Sequence, residues 1–239
     1  MKNVLICEHC GNENSFYQLN CTKCKSFLRA RIVNIDFWDT LWKLFYSPIK
    51  TAENIIQAEN KNFVVTVALL AAVKFTLLSL ILMNATRSDI NSSFSFIQGF
   101  VFGGVPLLVL VSIFTIIITL INKKNGIRGR VKDGLAVYFY SFSPMVLSLL
   151  ILTPIQFALF GGYWFTFNPS PFLMKPRAAT VMYILEALMF IWSALLFITS
   201  TYAQTKSRIY SIFFGLICFL VTTFLIAYLS ISISLFLSK

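Results

Sequence analysis

Four of the five cysteines fall in two tight pairs, Cys7-Glu8-His9-Cys10 and Cys21-Thr22-Lys23-Cys24, separated by ten residues that begin with Gly11. Each Cys-x-x-Cys turn resembles a zinc knuckle, and two of them can bring four thiolates onto a tetrahedral Zn²⁺ at ~2.3 Å. Gly11 permits the left-handed backbone often needed just after the second ligand. Lys23 and Lys25 would offset part of the negative charge of a tetrathiolate site. The expectation is a structural zinc held by Cys7, Cys10, Cys21 and Cys24. A thiol redox pair and a knuckle that has kept its cysteines without metal are the alternatives. A closed four-ligand site has no open position for water, so this zinc would organise a surface and would not catalyse. So small a ribbon needs its metal to fold. Paired cysteines of this kind point to a reducing compartment and a metal site more naturally than to disulfides. His9 reads as a bystander, and Cys218, inside an apolar run, as a small hydrophobe.

The second group that could do chemistry is a pair of ionisable residues inside apolar runs, Lys74 and Glu186. Such residues usually face a bundle interior or a polar cavity. They read either as an ion pair lining a cavity or relay, or as a packing pair (with a snorkelling lysine as a further option) that has no role in transport. The third group is basic: Lys123, Lys124, Arg128, Arg130 and Lys132 lie within ten residues. Beside a membrane they would attract acidic headgroups at ~1 kcal/mol each. Such loops also arise simply as topology determinants.

The elements that must position these groups are set by composition. Of 239 residues, 57% are hydrophobic and only 12% charged, which suits a bilayer better than water. Apolar runs of spanning length cover 63–83, 100–121, 135–160, 181–203 and 209–237. Each meets the ~20 residues a helix needs to cross ~30 Å of hydrocarbon. The first run, beginning at Phe63, is expected to act as a retained anchor. The expected fold is an all-α polytopic membrane protein, with five transmembrane helices preceded by interfacial helices and a small N-terminal zinc ribbon. Its blocks are 1–30 (knuckle), 31–61 (amphipathic helices) and 62–239 (membrane domain).

The formal charge of +11 sits in alternate loops, without aromatic interleaving on a soluble surface, and nucleic acid is not the expected partner. An inside N-terminus puts 15 basic residues in the cytoplasm and four outside, so the expectation is N-in and C-out. The spans contain no histidine or aspartate and a single glutamate, which leaves little for an intramembrane hydrolase.

Ahead of the first run, Trp38, Leu41, Trp42 and Phe45 recur at spacings of three and four, predicting a helix with aromatics on one face. It suits the cytoplasmic interface, or else packs on the bundle as a soluble helix. Ser47 is expected to cap a second helix that starts at Pro48 and runs toward Lys61 into the first span. Gly103-Gly104-Val105-Pro106, Ser143-Pro144 and Thr153-Pro154 are helix breakers within the spans. They read as packing kinks or as the lining of a site.

Three stretches carry a resemblance. They are Phe37-Trp38 through Ser47-Pro48-Ile49-Lys50-Thr51, Val131-Lys132-Asp133-Gly134-Leu135-Ala136-Val137-Tyr138 through Ser143-Pro144, and the Lys206-Ser207-Arg208 turn into a long last span. Over roughly residues 35 to 237 the chain resembles the Ypt-interacting-protein (YIP) domain family of five-span membrane proteins with a cytosolic N-terminus. A zinc ribbon ahead of such a domain looks like the prokaryotic branch, which implies an inner or plasma membrane. The expected function is a non-enzymatic scaffold or adaptor that presents the knuckle and the basic loop to lipids and to a cytosolic protein partner or a second copy. The rival is a small-solute or ion transporter or channel that uses Lys74 and Glu186. A zinc or redox sensor is a further possibility.

Overall fold

The computed structural model describes residues 3–87, 93–127 and 129–237. It is mostly helical, and five helices are long and apolar enough to cross a membrane: Val64–Thr86, Phe96–Lys124, Ser143–Phe160, Pro176–Thr205 and Arg208–Leu237. In chain order the elements are strands β1 (Val4–Ile6) and β2 (Glu13–Ser15), then helices α1 (Phe37–Tyr46), α2 (Pro48–Gln57), α3 (Val64–Thr86), α4 (Phe96–Gly99), α5 (Val105–Lys124), α6 (Val131–Tyr140), α7 (Ser143–Leu147), α8 (Thr153–Phe160), α9 (Tyr163–Thr166), α10 (Pro171–Met174), α11 (Pro176–Thr205) and α12 (Arg208–Leu237). Single π turns, Phe100–Gly104 and Ser148–Leu152, join α4 to α5 and α7 to α8. The chain divides into two compact units.

The first unit takes Met1–Val65, Ser112–Ser141 and Leu195–Cys218. Strands β1 and β2 form an antiparallel hairpin in the register Val4↔Ser15, Leu5↔Asn14, Ile6↔Glu13. Helix α1 starts where Asp36 accepts the Asp39 N–H at 2.8 Å. Its expected aromatic stripe divides: Leu41 turns inward with Thr40 and Leu44, whereas Trp38, Trp42 and Tyr46 stay exposed at the i, i+4, i+8 rhythm of a single face. Ser47 stands before Pro48 but does not cap α2 with its side chain; its hydroxyl turns back to the Lys43 carbonyl at 3.3 Å.

Helix α2 also stops at Gln57, short of the expected run toward the first span. The N–H groups of Glu59 and Asn60 are taken by the Ile32 and Val33 carbonyls, each at 3.0 Å, so they cannot continue the helical ladder. Further along this unit, Gly134 lets α6 approach closely, since a Cβ there would lie 2.8 Å from the Thr115 methyl. Polar side chains then tie helix to helix: Tyr138 to Thr201 at 3.1 Å, Ser141 to Ser200 at 2.8 Å and Tyr210 to Asn122 at 2.8 Å.

The apolar run expected to span at 135–160 is not one helix. Helix α6 ends at Tyr140 and a new helix begins at Ser143. Pro144 has no N–H to give, and its ring would clash with the carbonyl four residues back, so the chain turns at Ser141 and Phe142 and restarts.

The second unit takes Thr66–Val111, Phe142–Ala194 and Phe219–Lys239. A Cβ on Gly99 would lie 2.8 Å from the Thr76 carbonyl oxygen, and one on Gly103 2.5 Å from that of Phe75. The Gly-x-x-x-Gly spacing of these two residues therefore presses one helix backbone directly onto another. Ser79 and Ser230 share a hydrogen bond at 2.7 Å, and Ser234 donates to the Met83 carbonyl at 2.7 Å. Phe75, Phe142, Phe190 and Phe219 form an edge-and-tilt aromatic cluster with centroids 5.4 to 6.3 Å apart. Gly103→Ala is expected to cost about 1–3 kcal/mol through overpacking, whereas Gly162→Ala, with nothing within 4 Å of its added Cβ, should stay within about 0.5 kcal/mol. Thermal unfolding in one detergent checks both, and equal melting temperatures would contradict the close packing.

Candidate metal centre and buried charge pairs

The two Cys-x-x-Cys turns are built alike. Gly11 (φ 69°) donates its N–H to the Cys7 carbonyl at 2.8 Å, and Lys25 (φ 64°) donates to that of Cys21 at 3.1 Å. Cys7 and Cys21 in turn donate to the Asn12 and Ser26 carbonyls at 3.0 and 2.9 Å. Each turn needs a left-handed residue straight after its second cysteine, and the second turn imposes this on a lysine.

The result brings Cys7, Cys10, Cys21 and Cys24 together. Their sulfurs all lie within 4.8 Å of one another, with Cys7 to Cys24 at 3.5 Å and Cys10 to Cys21 at 3.6 Å. No disulfide joins them. Four cysteines so placed could hold a metal ion.

Side chains that the Cys-x-x-Cys spacing does not reveal complete this centre. The Ser26 hydroxyl sits 3.1 Å from the Cys7 sulfur and 3.0 Å from that of Cys24. Asn14 donates to the Cys21 sulfur at 3.6 Å and is itself held by Thr22, whose N–H and hydroxyl it accepts at 2.9 and 3.0 Å. The Ser26 hydroxyl chiefly holds Cys7 below the usual thiol range. The backbone N–H groups of Cys24 and Lys23 help pull Cys21 down to about 6. At Cys10 the Asn12 N–H also pulls down, but burial and the other three sulfurs push it up to about 12. Four sulfurs this close do not ionise together unless a cation neutralises them.

The hairpin is fastened to helix ends within its unit. Asn3 donates to the Ala203 and Gln204 carbonyls at 3.0 and 2.8 Å, satisfying acceptors that the last turn of α11 leaves open. Arg29 reaches the carbonyls of Tyr17 at 2.9 Å and Gln57 at 2.8 Å. The Arg130 guanidinium covers the Tyr17 ring at 4.2 Å, and the Lys206 ammonium faces the Phe16 ring at 5.3 Å while pairing with Glu53.

Of the basic loop, Lys123, Lys124 and Lys132 are exposed, and Arg128 lies outside the described residues. Arg130 is not available to headgroups in the way the sequence suggests. It forms a two-point pair with buried Asp133 at 2.7 and 3.1 Å. Asp133 also binds Lys61 at 3.0 Å, and Lys61 donates to the α2 carbonyls of Ile55 and Ile56. Burial pushes the Lys61 ammonium down, with Asp133 opposing. This charge cluster locks α2 to the start of α6.

In the second unit Lys74 and Glu186 meet, Nζ to Oε1, at 2.6 Å. The same oxygen accepts from Gln156 at 2.8 Å, the other from Ser148 at 2.9 Å, and Lys74 also donates to Thr153 at 3.3 Å. Ser148 and Thr153 bracket the π turn ahead of Pro154, so the helix breaker supplies two of the pair's partners. Polar residues at 148, 153 and 156 were the available signal, and only the breaker among them stands out by pattern.

No protein-family model, no curated protein and no solved structure matches the chain.

Removing one member of a buried pair is far worse than removing both. Glu186→Gln is expected to cost about 3–5 kcal/mol, and the double variant Lys74→Met/Glu186→Gln to regain most of it. A double-mutant cycle on unfolding in detergent measures this. A double variant no more stable than Glu186→Gln would refute the pairing.

Proposed function

We propose that the chain is a non-enzymatic membrane scaffold or adaptor of YIP-domain type, in which a zinc-loaded cytosolic knuckle offers a protein-binding surface fixed to the ends of membrane helices. The observation that carries this is the knuckle itself. Four sulfurs converge on one element whose inner side chains bind helix termini, while Ile6 and Phe27 stand 66% and 78% exposed.

Zinc is the metal that the donor set fits best. A tetrahedral site with ~2.3 Å bonds needs sulfurs about 3.8 Å apart, close to the 3.5 and 3.6 Å of the two nearest pairs. Four thiolates close its coordination, so the metal's work is to hold the surface in shape. The charge bias of the loops favours a cytoplasmic N-terminus and an exterior C-terminus. Exposed Trp38, Trp42 and Tyr46 suit the headgroup level, and Lys123, Lys124 and Lys132 suit anionic lipid.

For the transporter reading, a polar path would need Lys74 and Glu186 to face it. Their mutual bond and their bonds to Ser148, Thr153 and Gln156 favour a structural pair instead.

Purified protein should carry about one zinc per chain, and Cys21→Ser should lose it. A photocrosslinker at Phe27 in native membranes should trap a protein or a second copy, and Cys21→Ser should abolish the adduct. Failure of both results would remove the adaptor reading. Liposome flux lost in Lys74→Ala and Glu186→Ala, with no adduct at position 27, would replace it with the transporter.

A further inference from the structure

A cavity of about 320 Å³ lies in the second unit beside the Lys74–Glu186 pair. Its walls include Leu78, Leu82, Trp164, Tyr183 and Phe190, and its single charged wall residue is Glu186. Trp164 and Tyr183 pack together, with ring centroids 4.9 Å apart and Phe172 stacked on Tyr183 at 5.2 Å. Ala187, also on the wall, is exposed, so the cavity opens at the surface of a helix that is apolar enough to cross a membrane. An apolar chamber with a single placed polar group is the form that small-ligand sites take, and this volume is at the low end of their range of roughly 300–1,000 Å³.

The polar group defines the ligand. Glu186 accepts three hydrogen bonds, two on Oε1 and one on Oε2. A carboxylate has about four acceptor positions, so Oε2 keeps room for one more donor. Lys74 already neutralises Glu186, so an anionic headgroup would meet a carboxylate and a cationic one would find that carboxylate's charge already paired. An uncharged hydroxyl satisfies Oε2 without adding charge. A neighbouring cavity of about 310 Å³ shares Leu78, Leu82 and Phe190, but its polar residues are engaged: Ser79 with Ser230 and Thr223 with the Phe219 carbonyl.

We propose that the Glu186 cavity binds a single-chain, uncharged amphiphile, its tail against Leu82, Trp164 and Phe190 and its hydroxyl donating to Glu186 Oε2. The volume matches one tail, and the walls are continuous with the hydrocarbon from which such a molecule would enter.

Trp164 in the wall serves as the reporter. In the full chain carrying Trp38→Phe, Trp42→Phe and Trp192→Phe, reconstituted in nanodiscs, a chain-brominated dodecanol should quench Trp164 in a saturable way. The matching brominated dodecane and dodecanoate should bind at least about tenfold more weakly, the loss expected for a hydrogen bond to a charged group. Ala187→Phe, which fills the cavity from its exposed rim, should remove the saturable part. If that variant does not fold, the comparison of alcohol, alkane and carboxylate decides the question alone. Equal, non-saturable quenching by all three would mean that bilayer tails merely solvate the cavity, and would overturn the proposal. Tighter binding of the carboxylate would overturn the assignment of the headgroup.

Discussion

A helix in hydrocarbon has no bulk water to take its polar groups, so each needs a partner placed beside it. Nearly every distinctive feature of the second unit answers this constraint. Lys74 and Glu186 neutralise each other, and Gln156 and Ser148 each donate a further hydrogen bond to the carboxylate. Ser79 finds Ser230, and Ser234 finds a carbonyl. The prolines follow the same rule. Val105 and Thr153, each just before a proline, donate five residues back across a π turn, to Phe100 and Ser148. The wider turn makes room for a ring that an ordinary helical turn would push against a carbonyl. Since the hydrophobic effect does not drive helices together in lipid, close contact through Gly99 and Gly103 supplies dispersion contacts in its place.

The first unit solves a different problem. A hairpin of two three-residue strands buries too little to stand alone. It is held from within by its cysteine cluster and from outside by helix ends: Asn3 on the last carbonyls of α11, Arg29 on that of Gln57, and Arg130 over Tyr17. Arg130 also pairs with Asp133, which binds Lys61. The knuckle and the α2–α6 lock are therefore coupled through one guanidinium. In the proposed function this coupling keeps a zinc-organised surface in fixed register with the membrane helices.

Signals that act over short spacing were readable before the structure. The Cys-x-x-Cys turns, the apolar runs and the helical spacing of Trp38 and Trp42 depend on a few neighbouring residues. Lys74 and Glu186 stood out because charge is rare in such runs, although their meeting could be argued only from depth. What could not be read depends on distant partners. Arg130 looks like one more basic loop residue until Asp133 and Tyr17 are placed against it. Helix α2 carries no stop signal of its own at Gln57, because the residues that end it, Ile32 and Val33, pair with Glu59 and Asn60 from more than twenty-five positions away. Pro144 was visible as a breaker, but whether it kinks a helix or ends one depends on the packing around Ser141 and Phe142. Gly161-Gly162 and Asn168-Pro169-Ser170-Pro171 are turn-forming residues, yet the segment between them buries Trp164 against Phe160 and Tyr183.

A metal-organised knuckle clamped to helix ends should loosen those ends when its metal is removed. Hydrogen exchange of the full chain in nanodiscs, with zinc and after chelation, reads this loosening residue by residue. Chelation is expected to release protection over residues 3–28 and also at the 203–206 turn and the start of α6, while α3 stays protected. Loss confined to the knuckle, or no loss at all, would contradict it.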